Sequence, residues 1–121
     1  MSLVFFALAA IANSVMDSIA HHFPRSWFAV NRNPYIWLWV HSDWLDAYID
    51  RDPSKGFKGL RRFAPLRDGW HFSKACMIVC LVVSVITYKP VFPSWWMDSL
   101  AYLLAWWIGF NVIYIGLIRR G

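Results

Sequence analysis

The chain has 121 residues, of which 59% are hydrophobic and 19% aromatic, and its formal net charge is +5. This length fits one domain at most, and ordinary soluble domains are only about 45–50% apolar. A soluble fold of this size leaves much of its surface in water and has no room to bury so many apolar groups. The composition therefore argues against an ordinary soluble domain and favours a chain surrounded by lipid.

The first apolar segment covers residues 2–22 and predicts a transmembrane helix. Asn13, Ser14 and Asp17 interrupt it, but as one helix it spans about 30 Å, enough to cross a bilayer. A signal peptide is the alternative, because Ala10-Ile11-Ala12 resembles a cleavage site. No basic residue precedes that site, whereas signal peptides begin with a positive charge. The pattern therefore favours a retained helix.

Residues 23–72 form a long polar and aromatic segment. Asn33 and Pro34 are typical of a helix start, and the stretch from Tyr35 to Asp50 is too short and acidic to span. It predicts an amphipathic helix lying at the membrane interface. A turn-rich basic connection follows, which we interpret as a site for anionic lipid head groups. Its basic residues are Arg51, Lys55, Lys58, Arg61, Arg62 and Arg67.

Two further transmembrane helices are predicted, over residues 73–89 and 98–118. Trp70 and Lys74 suit an interfacial anchor before the second helix, and Ser94 or Asp98 suits the cap of the third. Gly109 and Gly116 would permit close helix packing. Cys76 and Cys80 lie one turn apart on the second helix, a spacing that does not favour a disulfide between them.

The distribution of charge orients these helices. Residues 23–74 contain nine Lys or Arg and the C-terminus adds Arg119 and Arg120, whereas the turn after the second span contains only Lys89. The positive-inside rule then places the N-terminus outside and the C-terminus in the cytoplasm. The location expected is a cell membrane, with a bacterial inner membrane favoured. The fold class predicted is an all-α integral membrane protein with three transmembrane helices and an interfacial amphipathic helix, in one domain covering 1–121.

Two Asp–His pairs are the candidate chemistry. Asp17 and His21 lie four residues apart at the end of the first helix, and Asp68 and His71 lie three apart at the start of the second. In the predicted topology both pairs share one membrane depth, at the cytoplasmic face. Carboxylate and imidazole are ligands for Zn²⁺ or a similar divalent ion. Further candidate ligands are His22, Asp43 and Asp46.

A metal at this position would favour hydrolysis, because bound water ionises near neutral pH. The hypothesis is a metal-dependent hydrolase acting on a membrane-associated or anionic, lipid-like substrate. Haem held by His21 or His22 with His71 is a second option, although haem needs neither aspartate. The simplest alternative is that Asp68 caps a helix and that the histidines sit among lipid head groups.

A non-catalytic role is the other class of function considered. The chain would then be a small membrane subunit, an oligomeric scaffold or a channel component, packing against its own copies or partner helices. Binding to nucleic acid is not expected, because topology already accounts for the basic residues.

The stretch Asp68-Gly69-Trp70-His71-Phe72-Ser73-Lys74 resembles an Asp-x-Trp-His-x-x-Lys sequence in a family of small uncharacterised membrane proteins of bacteria and phages. That sequence opens an apolar segment there. The resemblance extends over about residues 10–85 and implies no activity. Its matching positions are Asp17, Asn33, Pro34, Asp68, Trp70, His71 and Lys74.

Overall fold

The computed structural model describes residues 1–22, 26 and 48–118, the last two by their backbone alone. Three long α-helices dominate this part of the chain: α1 (Ser2–His21), α2 (Gly69–Ile86) and α3 (Trp95–Ile113). A π-helical turn, Tyr114–Ile118, continues α3. All three helices are long and apolar enough to cross a membrane.

Helix α1 lies between the other two. Ser2, at its start, is hydrogen-bonded to Ser84 near the end of α2, so α1 and α2 run antiparallel. Ser2 also accepts a hydrogen bond from Tyr102, and Ala10 lies against Gly109, so α1 and α3 run parallel. Within the described residues, α2 and α3 make almost no direct contact with each other. The result is a three-helix arrangement with an opening between α2 and α3.

Small side chains line the interior and large apolar ones face outward. The buried residues of α1 and α2 are mostly Ser, Ala and Gly, whereas Val79, Leu103 and Trp107 are 60–65% exposed. This reverses the pattern of a soluble protein. Helices in lipid gain nothing from burying leucine, and instead associate where small residues allow close backbone approach and hydroxyls bond across.

Gly109 gives the clearest case of close approach. A Cβ atom at this position would lie 2.7 Å from the carbonyl oxygen of Ala7 and 3.3 Å from the Cβ of Ala10. Gly109 therefore permits close helix packing within the chain itself. Gly116 has no such neighbour among the described residues, and its role in packing against a partner helix stays a prediction.

Two helices begin before the membrane spans predicted from the sequence. Helix α2 begins at Gly69, before residue 73, and α3 begins at Trp95, before residue 98. The interfacial helix predicted over 35–50 lies outside the described residues except at its end. There, Tyr48 is extended and Ile49–Arg51 is a 3₁₀ turn with Asp50 in the left-handed region, so an α-helix does not continue through Asp50.

Residues 48–67, which we call the basic segment, fold into four 3₁₀ turns: Ile49–Arg51, Pro53–Lys55, Gly59–Arg62 and Ala64–Leu66. The first two turns fold back on themselves, because the Ile49 amide donates to the Gly56 carbonyl at 3.0 Å. The rings of Tyr48 and Phe57 stack there with centroids 4.6 Å apart. Gly56, at φ +76°, supplies the left-handed conformation that this reversal needs.

Candidate functional site

The first predicted pair, Asp17 and His21, lies at the end of α1. The His21 Nε2 atom is 3.8 Å from Asp17 Oδ1, and the two side chains are 68% and 41% exposed. This is an ion-pair distance rather than a hydrogen bond. The next residue, His22, faces the ring of Tyr114 with centroids 5.7 Å apart. These side chains are accessible, but their polar atoms are only loosely arranged.

The second predicted pair, Asp68 and His71, is much tighter. One carboxylate oxygen of Asp68 accepts the His71 backbone amide at 2.9 Å, and the other lies 2.7 Å from His71 Nδ1. Asp68 is the residue immediately before α2, so its carboxylate caps the helix and orients the imidazole. The capping alternative raised by the sequence is confirmed, and His71 Nε2 lies on the ring edge away from Asp68.

The antiparallel packing of α1 and α2 places the end of α1 and the start of α2 at the same end of the bundle. Even so, no three His, Cys, Asp or Glu side chains among residues 1–22, 26 and 48–118 form a group that could hold a metal ion. Asp17, His21, Asp68 and His71 thus remain two separate pairs. The further candidates Asp43 and Asp46 lie outside the described residues.

The basic segment carries six Lys or Arg and two Asp, and part of that charge is used internally. Lys55 Nζ lies 2.8 Å from Asp50 Oδ2, and the Arg67 guanidinium lies 3.8 Å from the centre of the Phe57 ring. Arg62 Nε donates to the Phe57 carbonyl at 3.3 Å. Lys58 is exposed and makes no ion pair with a described residue. The segment therefore keeps excess positive charge at its surface.

A second acid, Asp52, stabilises the turn beside this charge. Its Oδ1 accepts the Ser54 amide at 2.9 Å and the Ser54 hydroxyl at 2.8 Å. These bonds to the ionised carboxylate lower the pKa of Asp52 below its ordinary value. Asp52 therefore stabilises the chain reversal through Ser54, and these two bonds use none of the neighbouring basic side chains.

Exposed apolar side chains accompany the cations. Leu60, Phe63 and Leu66, three residues apart, are 70%, 66% and 43% exposed. In water such groups would be unfavourable, but apolar side chains interleaved with Lys and Arg are typical of a segment lying in the head-group region of a membrane. The basic residues of this surface were predicted from the sequence as head-group ligands. Its apolar residues, which lie in the same stretch, were not among the predicted site residues.

The opposite end of the bundle holds a hydroxyl cluster that sequence reasoning missed. Ser2 and Ser84 bond reciprocally, and Tyr102 donates its hydroxyl to Ser2. Nearby, the Tyr88 hydroxyl donates to Asp98 Oδ2 at 2.8 Å. This bond to a carboxylate, which favours the neutral phenol, raises the pKa of Tyr88. The turn between α2 and α3 is thus tied to α3.

Asp98 is the centre of that turn. It is 4% exposed, and its Oδ1 accepts the amides of Val91 and Phe92 at 3.0 and 2.9 Å. The predicted role of Asp98 as the cap of α3 is wrong, because α3 begins three residues earlier and the carboxylate reaches back to the preceding turn. Ser94 takes the cap position but makes no side-chain capping bond.

The opening between α2 and α3 forms a groove of about 720 Å³ above this cluster. Ser2 and Phe6 of α1 line it, together with Tyr88 and Asp98.

Cys76 and Cys80, elsewhere on α2, are free thiols, as the spacing predicted. Comparisons with protein-family models, curated protein sequences and solved structures found no match.

Proposed function

We propose that this chain is a three-span integral membrane protein that binds anionic lipid head groups through its basic segment. The observation that carries the proposal is the joint exposure of Leu60, Phe63 and Leu66 beside basic residues, of which Lys58 makes no ion pair with a described residue. Aliphatic and aromatic groups of this size favour the boundary of the acyl chains, and Lys and Arg favour the phosphates above it. A position at the membrane interface therefore explains why the apolar and the basic side chains are exposed together.

The position of the basic segment agrees with this proposal. It leads directly into α2 through Asp68, and Lys74 places its ammonium 5.0 Å from the Trp70 ring at the first turns of that helix. Trp and Lys are residues of membrane interfaces. The basic segment would then lie on the cytoplasmic leaflet of a bacterial inner membrane, where positive-inside orientation places it, with the N-terminus outside.

Native mass spectrometry tests the binding. The detergent-solubilised protein is mixed with an anionic phosphatidylglycerol and a zwitterionic phosphatidylcholine that have the same acyl chains. We expect the wild type to retain the anionic lipid preferentially. Lys58→Gln and Arg62→Gln should each weaken that retention about fivefold, because one basic residue at a membrane surface contributes about 1 kcal/mol.

Lys89→Gln is the matched control. Lys89 is also an exposed lysine, but it lies in the turn between α2 and α3, at the other end of α2 from the basic segment. Its loss should leave the lipid preference unchanged. Equal retention of both lipids by the wild type, or an equal effect of all three substitutions, would contradict the proposal.

A second candidate function is a divalent-metal site that would serve a hydrolase acting on a lipid-like substrate. It is favoured by the presence of two Asp–His pairs at one end of α1 and α2, one with its imidazole already held 2.7 Å from a carboxylate. Histidines that bind Zn²⁺ commonly donate their other ring nitrogen to a carboxylate, so His71 Nε2 would be the donor atom. Haem has no comparable support from this geometry.

Elemental analysis of purified protein tests the metal candidate. We expect near-stoichiometric Zn²⁺ or a similar ion in the wild type, and its loss in His71→Ala and His21→Ala. Cys80→Ala, which removes another potential ligand far from both pairs along α2, should keep the metal. A wild type free of metal after purification in the presence of Zn²⁺ would end this candidate and leave lipid binding unaffected.

A further inference from the structure

A second groove, of about 650 Å³, lies on the outer side of α3 against α1. Leucine and aromatic side chains of α3 form most of its wall, and Leu103 and Trp107 in it are 65% and 64% exposed. Two amide side chains complete it, Asn13 from α1 and Asn111 from α3. An apolar wall is expected on a helix facing lipid, but two amides are not.

Neither amide is fully satisfied by the described part of the chain. Asn111 donates through Nδ2 to the Trp107 carbonyl at 2.9 Å, which leaves its carbonyl oxygen Oδ1 without a donor there. Asn13, half-buried, has no side-chain hydrogen bond to any described residue. It stands close to the midpoint of α1, whose ends are Ser2 and His21, within about 2 Å along the axis.

The hydrocarbon layer of a bilayer offers no water to such groups, and Asn111, about 8 Å from the middle of the candidate span Trp95–Gly116, is within it as Asn13 is. A side-chain amide without a partner in hydrocarbon is unfavourable, and Asn in transmembrane helices therefore bonds across to another helix. Helix α2 does not supply the partner, because none of its residues lines this groove. The missing partner must reach the groove from outside this arrangement of helices.

From this geometry we infer that the α1–α3 groove is the interface of a homodimer, in which Asn13 of each copy donates to the Oδ1 atom of Asn111 in the other copy. The inference rests on the membrane-spanning part of the proposed function and is independent of lipid binding. It goes beyond that proposal by assigning a partner, a second copy of this chain, and the contact that would recognise it.

Symmetry selects a second copy over an unrelated helix. Two chains inserted in the same direction are related by a two-fold axis along the membrane normal, which leaves every residue at its own depth. Gly109 lies against Ala10 on these parallel helices, so Asn13 and Asn111, a few residues further along each helix, share a depth to within about 3 Å. The axis then brings each opposite the other in an isologous contact. An unrelated partner would need a polar residue of its own at that level.

The spacing along α3 also fits a helix–helix contact. Leu100, Leu104, Trp107 and Asn111 line the groove at intervals of four, three and four residues. This alternation is the repeat by which two helices interlock along a seam. A single polar residue in such a seam fixes its register and the number of chains, which is the role assigned here to Asn111.

Energy transfer between labelled copies tests the inference. Full-length protein carrying donor or acceptor dyes is reconstituted in phosphatidylcholine vesicles, and the transfer is followed as lipid dilutes the protein. We expect wild-type transfer to fall along a monomer–dimer curve. Asn13→Leu and Asn111→Leu, which keep bulk and remove the amide, should each weaken dimerisation about fivefold.

Thr87→Val is the matched control, because it also removes a polar group but one bonded within its own helix, to the Val83 carbonyl at 2.7 Å. Its dimerisation should equal the wild type. A wild type that is monomeric at every dilution, or Asn variants that dimerise like the wild type, would overturn the inference. Protease protection in the same vesicles separates the two proposals, since a chain that spans the bilayer yet stays monomeric defeats only the dimer.

Discussion

Ser2 and Ser84, from the start of α1 and the end of α2, hold each other by reciprocal hydrogen bonds. The Ser2 hydroxyl donates to the Ser84 carbonyl at 2.7 Å, and the Ser84 hydroxyl donates to the Ser2 carbonyl at 3.0 Å. Both residues are buried. Because each hydroxyl satisfies a carbonyl of the other helix, this pair fixes how far α1 slides along α2.

Replacing Ser84 by Val should therefore destabilise the bundle. The substitution removes one donor and leaves the Ser2 carbonyl without its partner, a loss of about 1–2 kcal/mol in the free energy of unfolding. The measurement is denaturation in detergent followed by loss of helical circular dichroism. Ser99→Val is the control, since the Ser99 hydroxyl bonds only within α3, to Trp95 at 2.9 Å. Equal effects of the two substitutions would contradict the assignment.

Gly109→Ala should also separate two helices that now touch. The new Cβ would meet the Ala7 carbonyl oxygen at 2.7 Å, closer than real contacts allow, and backbone cannot move aside as a side chain can. The expected cost is about 1–3 kcal/mol, read as a lower thermal midpoint. Gly116→Ala adds the same methyl group where no described atom lies within 4 Å. A midpoint that falls as far for this control would refute the argument.

The sequence was sufficient to predict the three helices and the two Asp–His pairs. The length of each apolar segment predicts the three helices. Helical spacing predicts the two pairs, because Asp17–His21 and Asp68–His71 are each a local contact at one helix end. Whether the two pairs meet depends on how each helix is rotated about its axis. Helix α3 has apolar residues on all its faces, and the buried residues of α1 include small serines such as Ser14 and Ser18. Hydropathy therefore does not predict how either helix is rotated about its axis.

Asp98 shows why the hydroxyl cluster was missed. The sequence predicts a span from residue 98 with Ser94 or Asp98 as its cap, but the helix starts at Trp95. The available signal was the turn itself, where Val91 and Phe92 carry two free amides between Pro90 and Pro93. A nearby carboxylate is the natural acceptor for such amides, and Asp98 is the only acid in that region of the sequence.

The stability of the protein should depend on Tyr88 at alkaline pH. The bond from the Tyr88 hydroxyl to Asp98 raises the pKa of Tyr88 in the folded protein above its ordinary value of 10.0. The folded state then holds this proton more tightly than the unfolded state. The stabilisation is present in full below pH 10 and is lost as the pH rises through the raised pKa.

Thermal midpoints measured from pH 8 to about 12 test this linkage. The thermal midpoint of the wild type should fall towards that of Tyr88→Phe as the pH rises above 10, because the variant has no phenol to ionise at position 88. Every other group is common to the two proteins, so only the difference between their midpoints carries the information. Tyr114→Phe, at the far end of α3, serves as the control. A wild type–Tyr88→Phe difference that is constant with pH would exclude this role of the bond.

Asp68→Ala should reveal whether that carboxylate works as a helix cap. It accepts the His71 amide at 2.9 Å, so its loss should cost about 1 kcal/mol in the free energy of unfolding. Asp68→Asn keeps an acceptor oxygen and should recover most of that stability, since Asn is as good a cap as Asp. Asp17→Ala should have little effect, because its half-exposed side chain makes only a 3.8 Å ion pair.

Chemical denaturation with and without a chelator distinguishes this cap from a metal ligand. A cap acts whether or not metal is present, so a chelator would leave the ranking of Ala, Asn and Asp at position 68 unchanged. Bound Zn²⁺ would instead stabilise the wild type in proportion to its concentration, and the Asn variant, which is a poor metal ligand, would then resemble Ala. Loss of stability in Asp68→Asn that appears only with metal would reassign Asp68 from the helix to the metal candidate.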